Sequence, residues 1–332
     1  MTTDRASGAF AAEGNSDDAQ PSFRSVVAED ASVQARLQFW VPMECYQLTN
    51  GDRVGRMDIL DLGAQRLVRE HQHATVQKLG IMPKGLCTIS LSRIPTVRFS
   101  EILENNDQSV FFLPENTEFD VHVPSGIETA YVSFNQDDFL RAARILDPGG
   151  WETAPRQLTW VQTSQKVALW AAIDQWFRIA GSQTGNVPQA EALRTALFET
   201  VLQVATALPP NCGRDASSST RRRATRIARS ASAFIEGHLE EGHLPSIIEI
   251  CRELDVSERT LQYAFLDYAG LPPTAYLRRV RLNRAREALR KAHAQTTTVT
   301  ETAMRFGFLH LGRFARDYKM FFGESPSATL AS

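Results

Sequence analysis

Five side chains in the C-terminal third have types and spacing suited to hydrogen bonding with flat polar edges. Arg259, Gln262 and Tyr263 fall at i, i+3 and i+4, and Arg313 and Arg316 at i and i+3. Each set therefore shares one face if its segment is a helix. Arg offers paired donors and Gln a donor beside an acceptor, which fits the guanine and adenine edges open in a DNA major groove. For either helix alone, an ordinary solvated face is the alternative.

Those helices need a frame, and the chain writes the frame twice. Ser246-Ile-Ile-Glu249 and Thr298-Val-Thr-Glu301 are capping boxes, and they lie 52 residues apart. Gly270-Leu-Pro-Pro273 and Gly323-Glu-Ser-Pro326 close the two copies, 53 residues apart, with a Gly to end one helix and a Pro to begin the next. In the first copy Ile247, Ile250, Cys251 and Leu254 make one apolar face. Leu254-Asp-Val-Ser257 reads as the turn, with Ser257 as N-cap and Asp255 in a left-handed position. Leu261, Ala264, Phe265 and Tyr268 then face inward. In the second copy Val299, Ala303 and Phe306 face inward, Gly307-Phe308 starts the turn, and Leu311, Phe314, Tyr318 and Phe321 face inward on the following helix. The expectation is a tandem pair of helix-turn-helix units. His310 lies near the N-terminal tip of the last helix, the end that usually touches bases.

Between the copies, residues 272–292 consist mostly of good helix formers. About 20 residues at ~1.5 Å each give a rod of ~30 Å, close to one ~34 Å turn of B-DNA. The apolar face rotates along the rod. Tyr276, Leu277 and Val280 share one direction, and Ala285, Ala288, Leu289 and Ala292 another, so each end should pack on a different unit. Arg279, Arg286 and Arg290 line a third side, solvated or within reach of phosphates. Ser257, Arg279, Thr298 and His310 are the candidate backbone or helix-tip contacts.

Three segments carry a family resemblance: Val256-Ser-Glu-Arg-Thr-Leu-Gln-Tyr-Ala-Phe265, Tyr276-Leu-Arg-Arg-Val-Arg-Leu-Asn-Arg-Ala-Arg286, and Gly307-Phe-Leu-His-Leu-Gly-Arg-Phe-Ala-Arg-Asp-Tyr318 with Phe322-Gly-Glu-Ser-Pro326. In order and spacing they resemble the DNA-binding domain of the AraC/XylS family of bacterial transcription regulators, in its XylS-like or ethanolamine-regulator-like branch. The resemblance covers about a third of the chain. Pro272 and Asp255 depart from the small polar residue and the Gly usual at those positions. The resemblance implies base contacts by Arg259, Gln262, Tyr263, Arg313 and Arg316, with double-stranded DNA and RNA polymerase as partners. It also implies an activator that works as a homodimer.

A length of 332 residues suits roughly two domains. The net charge of −2 is unevenly spread: residues 221–320 hold 18 Lys/Arg against 11 Asp/Glu, about +7, which leaves about −9 elsewhere. A basic module on an acidic partner fits phosphate neutralisation. Cys45, Cys87, Cys212 and Cys251 have neither disulfide nor zinc spacing. No run is apolar enough to span a bilayer and the start lacks the order of a signal peptide, so a cytoplasmic protein is expected, nucleoid-associated when bound.

The expected organisation is a disordered tail over 1–24, a sensor and dimerisation domain over 25–208, a linker over 209–223 and the DNA-binding domain over 224–332. From about 33 to 135 the texture is β, with strict alternation in Phe119-Asp-Val-His-Val123 and turns such as Asn50-Gly51 and Pro124-Ser-Gly126. An antiparallel barrel or jelly roll follows, which resembles by texture and position the cupin-like domain often joined to this DNA-binding module. Two amphipathic helices follow, from Trp160 to Leu208, to cover the barrel or form a dimer seam. The fold class is therefore α+β: a cupin-like antiparallel β-barrel with two helices, then an all-α tandem helix-turn-helix domain.

His71-Gln-His73 resembles a cupin metal motif, with both rings on one face of a strand. Gln77 stands near the expected Glu, and no histidine follows Pro124-Ser-Gly126 as the second motif requires. No metal and no cofactor are expected. Arg66, His71 and His73 remain candidates for a pocket holding a small organic effector. Three rivals stay open: a cupin metalloenzyme with a DNA-binding tail, an alkyl-transfer repair protein, and a regulator controlled by a partner protein. The second lacks a reactive cysteine in a Pro-Cys-His setting.

Overall fold

The structure is a computed structural model, and it describes residues 21–104, 107–181, 190–207, 219–240, 243–292 and 297–332. The first half holds eleven strands around one short helix. They are β1 (Ser22–Ala28), α1 (Ala31–Leu37), β2 (Met43–Gln47), β3 (Gly55–Asp61), β4 (Arg66–Gln72), β5 (Val76–Ile81), β6 (Leu86–Ser92), β7 (Arg98–Phe99), β8 (Ile102–Leu103), β9 (Ser109–Leu113), β10 (Glu118–Val123) and β11 (Glu128–Asn135). Next come α2 (Gln136–Leu146), α3 (Pro148–Trp151), β12 (Thr159–Gln162), α4 (Lys166–Gly181) and α5 (Ala190–Thr206). The C-terminal part is helical: α6 (Ser219–Glu240), α7 (Ile247–Glu253), α8 (Glu258–Ala269), α9 (Pro273–Lys291), α10 (Val299–Arg305), α11 (Leu311–Phe322) and α12 (Pro326–Ala331).

The strands form two stacked sheets of order β1-β3-β4-β11-β6-β9-β12 and β2-β5-β10-β7-β8, with antiparallel pairing throughout. This keeps the cupin-like, jelly-roll character. The expected closed barrel is replaced by two sheets, each with its own edge strands. Alternation decides which side each strand buries. On β10, Phe119, Val121 and Val123 turn into the sandwich, while Asp120 and His122 turn the other way. The outer face of the larger sheet is covered by α2, α3, α4 and α5 through Phe134, Phe139, Trp151, Ile173 and Val201. The outer face of the smaller sheet is covered by α6, α8 and α9, where Tyr46 and Leu48 join the core of Ile235, Phe265 and Tyr276. The molecule is thus layered helix, sheet, sheet, helix.

Several sequence expectations change. β12 and α2 were not expected, because Thr159–Gln162 is too short to show a period and joins β9 only through long-range pairing. Residues 22–24, placed in the tail, belong to β1 and pair with β3. Arg221, Arg222 and Arg223, placed in the linker, lie on α6. The remainder of the tail and of the linker, and Cys212, fall outside the described residues. Among the described residues no helix is long and apolar enough to cross a membrane.

The two helix-turn-helix frames repeat in atomic detail. Both capping boxes form, with Ser246 and Glu249, and Thr298 and Glu301, each bonding the other's backbone N–H. Both first helices end in a Schellman motif: Val256 N–H reaches Cys251 O at 3.0 Å, and Phe308 N–H reaches Ala303 O at 2.8 Å. The left-handed residue is Asp255 (φ 50°) in one copy and Gly307 (φ 71°) in the other. A Cβ at Gly307 would also lie 3.1 Å from Nη2 of Arg281 and 3.2 Å from Cδ2 of Leu244. Gly307→Ala is therefore expected to lose ~1–2 kcal/mol in left-handed strain, whereas Asp255→Gly should be neutral or stabilising. Urea melts of the two variants check this, and equal losses at both positions would contradict it.

Candidate nucleic-acid interface

α8 and α11 present their outward faces to solvent. On α8, Leu261, Ala264, Phe265 and Tyr268 are buried, leaving Arg259, Gln262 and Tyr263 exposed. Arg259 donates to the Tyr263 hydroxyl at 3.2 Å and lies over its ring at 5.4 Å, so these two side chains form one preset, exposed unit. On α11, Phe314, Tyr318, Phe321 and Phe322 are buried, and Arg313 and Arg316 are exposed. Leu311, expected inside, is exposed at the first position of α11. It sits one turn before Phe314, beyond the reach of the core around Phe308.

The candidate helix-tip contacts divide. The Ser257 and Thr298 hydroxyls are occupied as N-caps, accepting from Thr260 N–H at 3.2 Å and Glu301 N–H at 3.1 Å. His310 is the N-cap residue of α11 but makes no side-chain cap bond, and its ring is exposed at a helix N-terminus, where anions are favoured.

The rod α9 carries its arginines on two sides with different partners. Arg286 and Arg290, read as a stripe with Arg279, face the sheets instead. Arg286 is buried and donates to Asp30 at 3.2 Å and to Glu324 at 2.9 Å; Arg290 pairs with Asp30 and with Glu29 at 3.0 Å. These carboxylates remove both from the set of phosphate contacts. Arg279 stays half-buried over the Phe321 ring at 5.4 Å. Beside it are Arg278 and Arg281, which sequence reasoning passed over. Burial holds the guanidinium pKa of Arg278, Arg279 and Arg281 below the usual range, Arg281 to about 10, and neighbouring arginines add to the effect. Arg278 pairs with Asp317, which lies 3.8 Å from Arg313. The middle of the rod next to α11 is thus a cluster of mutually repelling cations with one carboxylate among them. That is the electrostatic character of a phosphate site.

The opposite side of the module is clasped by the smaller sheet. Asn283 on α9 bonds the Gln47 backbone at two points, both 2.9 Å, and so completes the open edge of β2. Gly51 N–H donates to Phe321 O at 3.0 Å at the end of α11. Arg98 and Gln77 reach Tyr268 on α8. All three contacts leave the exposed faces of α8 and α11 free.

Of the candidate pocket residues, Arg66 pairs with Asp61 at 3.2 Å and stacks over Trp40 at 5.1 Å. His71 lies on the helix-covered side of the larger sheet near Glu128 (3.6 Å), and His73 is exposed. The strand ends between the two histidines, since Gln72 is the last residue of β4, so His71 lies on the strand and His73 beyond it. A cavity in this half lies between the sheets and is lined by residues that sequence reasoning did not select, among them Gln38, Glu70, Lys78, Thr129 and Tyr131. Glu70, Lys78, Thr129 and Tyr131 come from strands of both sheets and Gln38 from the C-terminal end of α1, so only the stacking of the two sheets brings them together. Among the described residues no group of three His, Cys, Asp or Glu side chains could hold a metal ion. Cys45 and Cys87 are buried, and burial pushes both thiols up, Cys45 to about 12. Neither is a nucleophile.

Comparison with known proteins agrees with this geometry. A family model described as a helix-turn-helix domain matches residues 250–332. The probable thc operon regulatory protein of Rhodococcus erythropolis is 39% identical over 104 residues, 31% of each chain. The XylDLEGF operon transcriptional activator 2 of Pseudomonas putida is 37% identical over 113 residues, 31% of this chain and 72% of that protein. A solved structure of a probable AraC family transcriptional regulator from Rhodopseudomonas palustris CGA009 is 37% identical, covering 32% of this chain and 94% of that one, with a TM-score of 0.29. The chain spans about 30% of the length of full-length curated relatives such as the thc regulator. With its two capped helix-turn-helix frames and their Arg- and Gln-bearing faces, the chain belongs to the AraC/XylS family of transcription regulators.

Proposed function

We propose that the protein is a ligand-responsive transcription activator that reads double-stranded DNA with α8 and α11 in successive major grooves. The observation that carries this reading is the pair of matching frames whose Arg259, Gln262, Tyr263 and Arg313, Arg316 faces are all exposed while the other side of the rod is covered. α9 has 19 residues, or ~28 Å at ~1.5 Å per residue, a length that suits one groove repeat. Arg278, Arg279 and Arg281 supply phosphate contacts between the two reading helices, and His310 one at the tip of α11. The chain works in the cytoplasm as a homodimer, engages RNA polymerase, and takes a small organic effector in its N-terminal half. The domain division follows the expected one, with α6 starting the DNA-binding part.

Selection of random duplex DNA by the full-length protein tests the reading. Two enriched blocks about one helical turn (~34 Å) apart are expected. Arg316→Ala should relax preference in one block and cost ~1–3 kcal/mol, whereas Arg279→Ala should weaken binding to all sequences and flatten its salt dependence. Unchanged preference after Arg316→Ala would place the reading face of α11 elsewhere.

A further inference from the structure

Between the two sheets lies a cavity of about 70 Å³. Its walls are largely apolar, with Val41, Met43, Met82, Phe119 and Val121 among them. Its charged lining is a single ion pair. Glu70 is 1% exposed and Lys78 6%, and Lys78 Nζ donates to both carboxylate oxygens, one at 2.6 Å. Gln38 donates to the same carboxylate at 2.5 Å, and Gln72 and Thr129 each at 3.3 Å. Glu70 is therefore fully committed, and the charge of the cavity is balanced. One donor is left over: the buried hydroxyl of Tyr131 has no hydrogen-bond partner among the described residues. Burial pushes this phenol well above its usual range, so it stays protonated and can only be satisfied by an acceptor.

The cavity is tied to the rod by α1. Gln38, on Glu70, is the C-cap residue of that helix, and Asp30 is its N-cap. Asp30 also holds Arg286 at 3.2 Å and Arg290. Seven residues at ~1.5 Å each make α1 a strut of ~10 Å. It joins the ion pair in the cavity to the arginines of α9.

We propose that this inter-sheet cavity binds a small neutral molecule bearing a hydrogen-bond acceptor, and that α1 reports its occupancy to the DNA-binding rod. The proposal rests on the reading of the chain as a ligand-responsive regulator. A carboxylate here would add a second negative charge beside Glu70, and an ammonium a second positive charge beside Lys78. Either would leave a desolvated charge unpaired. A neutral acceptor adds none and takes the Tyr131 proton as a hydrogen bond. Met43 and Met82 are unbranched and can yield to a molecule larger than the cavity. A ligand carbonyl that draws on Tyr131 crowds Gln38, and displacement of Gln38 moves Asp30 on Arg286 and Arg290.

Matched probes on the full-length protein test this: benzamide and butyramide, the carboxylates benzoate and butyrate, and the amines benzylamine and butylamine. The amides should raise the melting temperature and change operator affinity, and the four ions should do neither. Tyr131→Phe should weaken amide binding about tenfold. Gln38→Ala should still bind amide, but amide should no longer change its DNA affinity. Ions binding as tightly as amides, or no binding by any of the six, overturns the ligand class. Amide-dependent DNA affinity that survives Gln38→Ala overturns the role of α1. Recovery of a two-block operator without any amide effect would sink this inference alone, whereas failure to recover any operator would sink the regulatory reading beneath it.

Discussion

Phe314→Ala is expected to melt the second helix-turn-helix unit while the first stays folded, and to erase one of the two blocks of the DNA site. Phe314 is 1% exposed and packs against Phe308 at 4.8 Å and Tyr318 at 5.6 Å between ring centroids. Truncating a buried Phe to Ala costs ~3–5 kcal/mol. The loss stays local because the units have separate cores. Tyr276, Leu277 and Val280 belong with Phe265 and Ile250, whereas Leu282, Ala285 and Leu289 belong with Phe306 and Phe314. The rod therefore stays anchored at its first end. Hydrogen exchange should show protection lost over α10–α12 and kept over α7 and α8. Selected DNA should keep the block read by α8 and become random in the other. Loss of protection across both units together would show one cooperative domain, and the two-block argument would need another basis.

How much of this was legible depended on how local its physics is. Capping boxes, left-handed Gly positions and the 3.6-residue stripe are written within a few neighbours, so both units and the rotation of the apolar face along α9 could be read from residues 246–326. The two cores meet α9 at Tyr276 and Leu289, as the change in direction required. Strands such as Phe119–Val123 could also be read from alternation. What covers each face could not, because sheet order and stacking are set by contacts far apart in sequence. Asp120 has the pattern of an outward, wet residue, yet it is 0% exposed and pairs with Arg98, which reaches Tyr268 of α8. Arg286 and Arg290 have the pattern of a phosphate stripe, yet Asp30 claims both from 256 and 260 residues away. Glu70 on β4 and Lys78 on β5 belong to different sheets, and they pair only because the two sheets stack face to face.

The same long-range burial makes Arg98→Ala the most damaging substitution expected outside the helical cores. Arg98 is 4% exposed and Asp120 0%, and they pair at 3.0 Å under α8. Arg98 also donates to Tyr268 O at 3.2 Å and Ser100 O at 2.7 Å, with its guanidinium 4.4 Å over the Tyr268 ring. Gln77 donates to Asp120 at 3.0 Å and accepts from Tyr276 at 2.9 Å, which completes the network. Removing the cation leaves Asp120 charged in a dry interface, at a cost of ~3–5 kcal/mol. Replacing both partners by apolar groups, as in Arg98→Met with Asp120→Leu, should recover most of that loss. His122 supplies a second signature. Burial first, and Arg98 next, depress its pKa to about 4, so it is neutral in the native protein. Because the folded value is below the unfolded one, its contribution is full above the unfolded pKa and is lost as pH falls towards 4. Without Arg98 burial still holds the His122 pKa down, but the imidazole loses a repelling cation and Asp120 is left unpaired, so less stability is lost on acidification than in the native protein. The deficit of Arg98→Ala in urea melts should therefore be smaller at pH 5 than at pH 8. A deficit that is independent of pH, or a double variant less stable than Arg98→Ala, would show that packing over Tyr268 rather than the buried charge holds the sheet to α8.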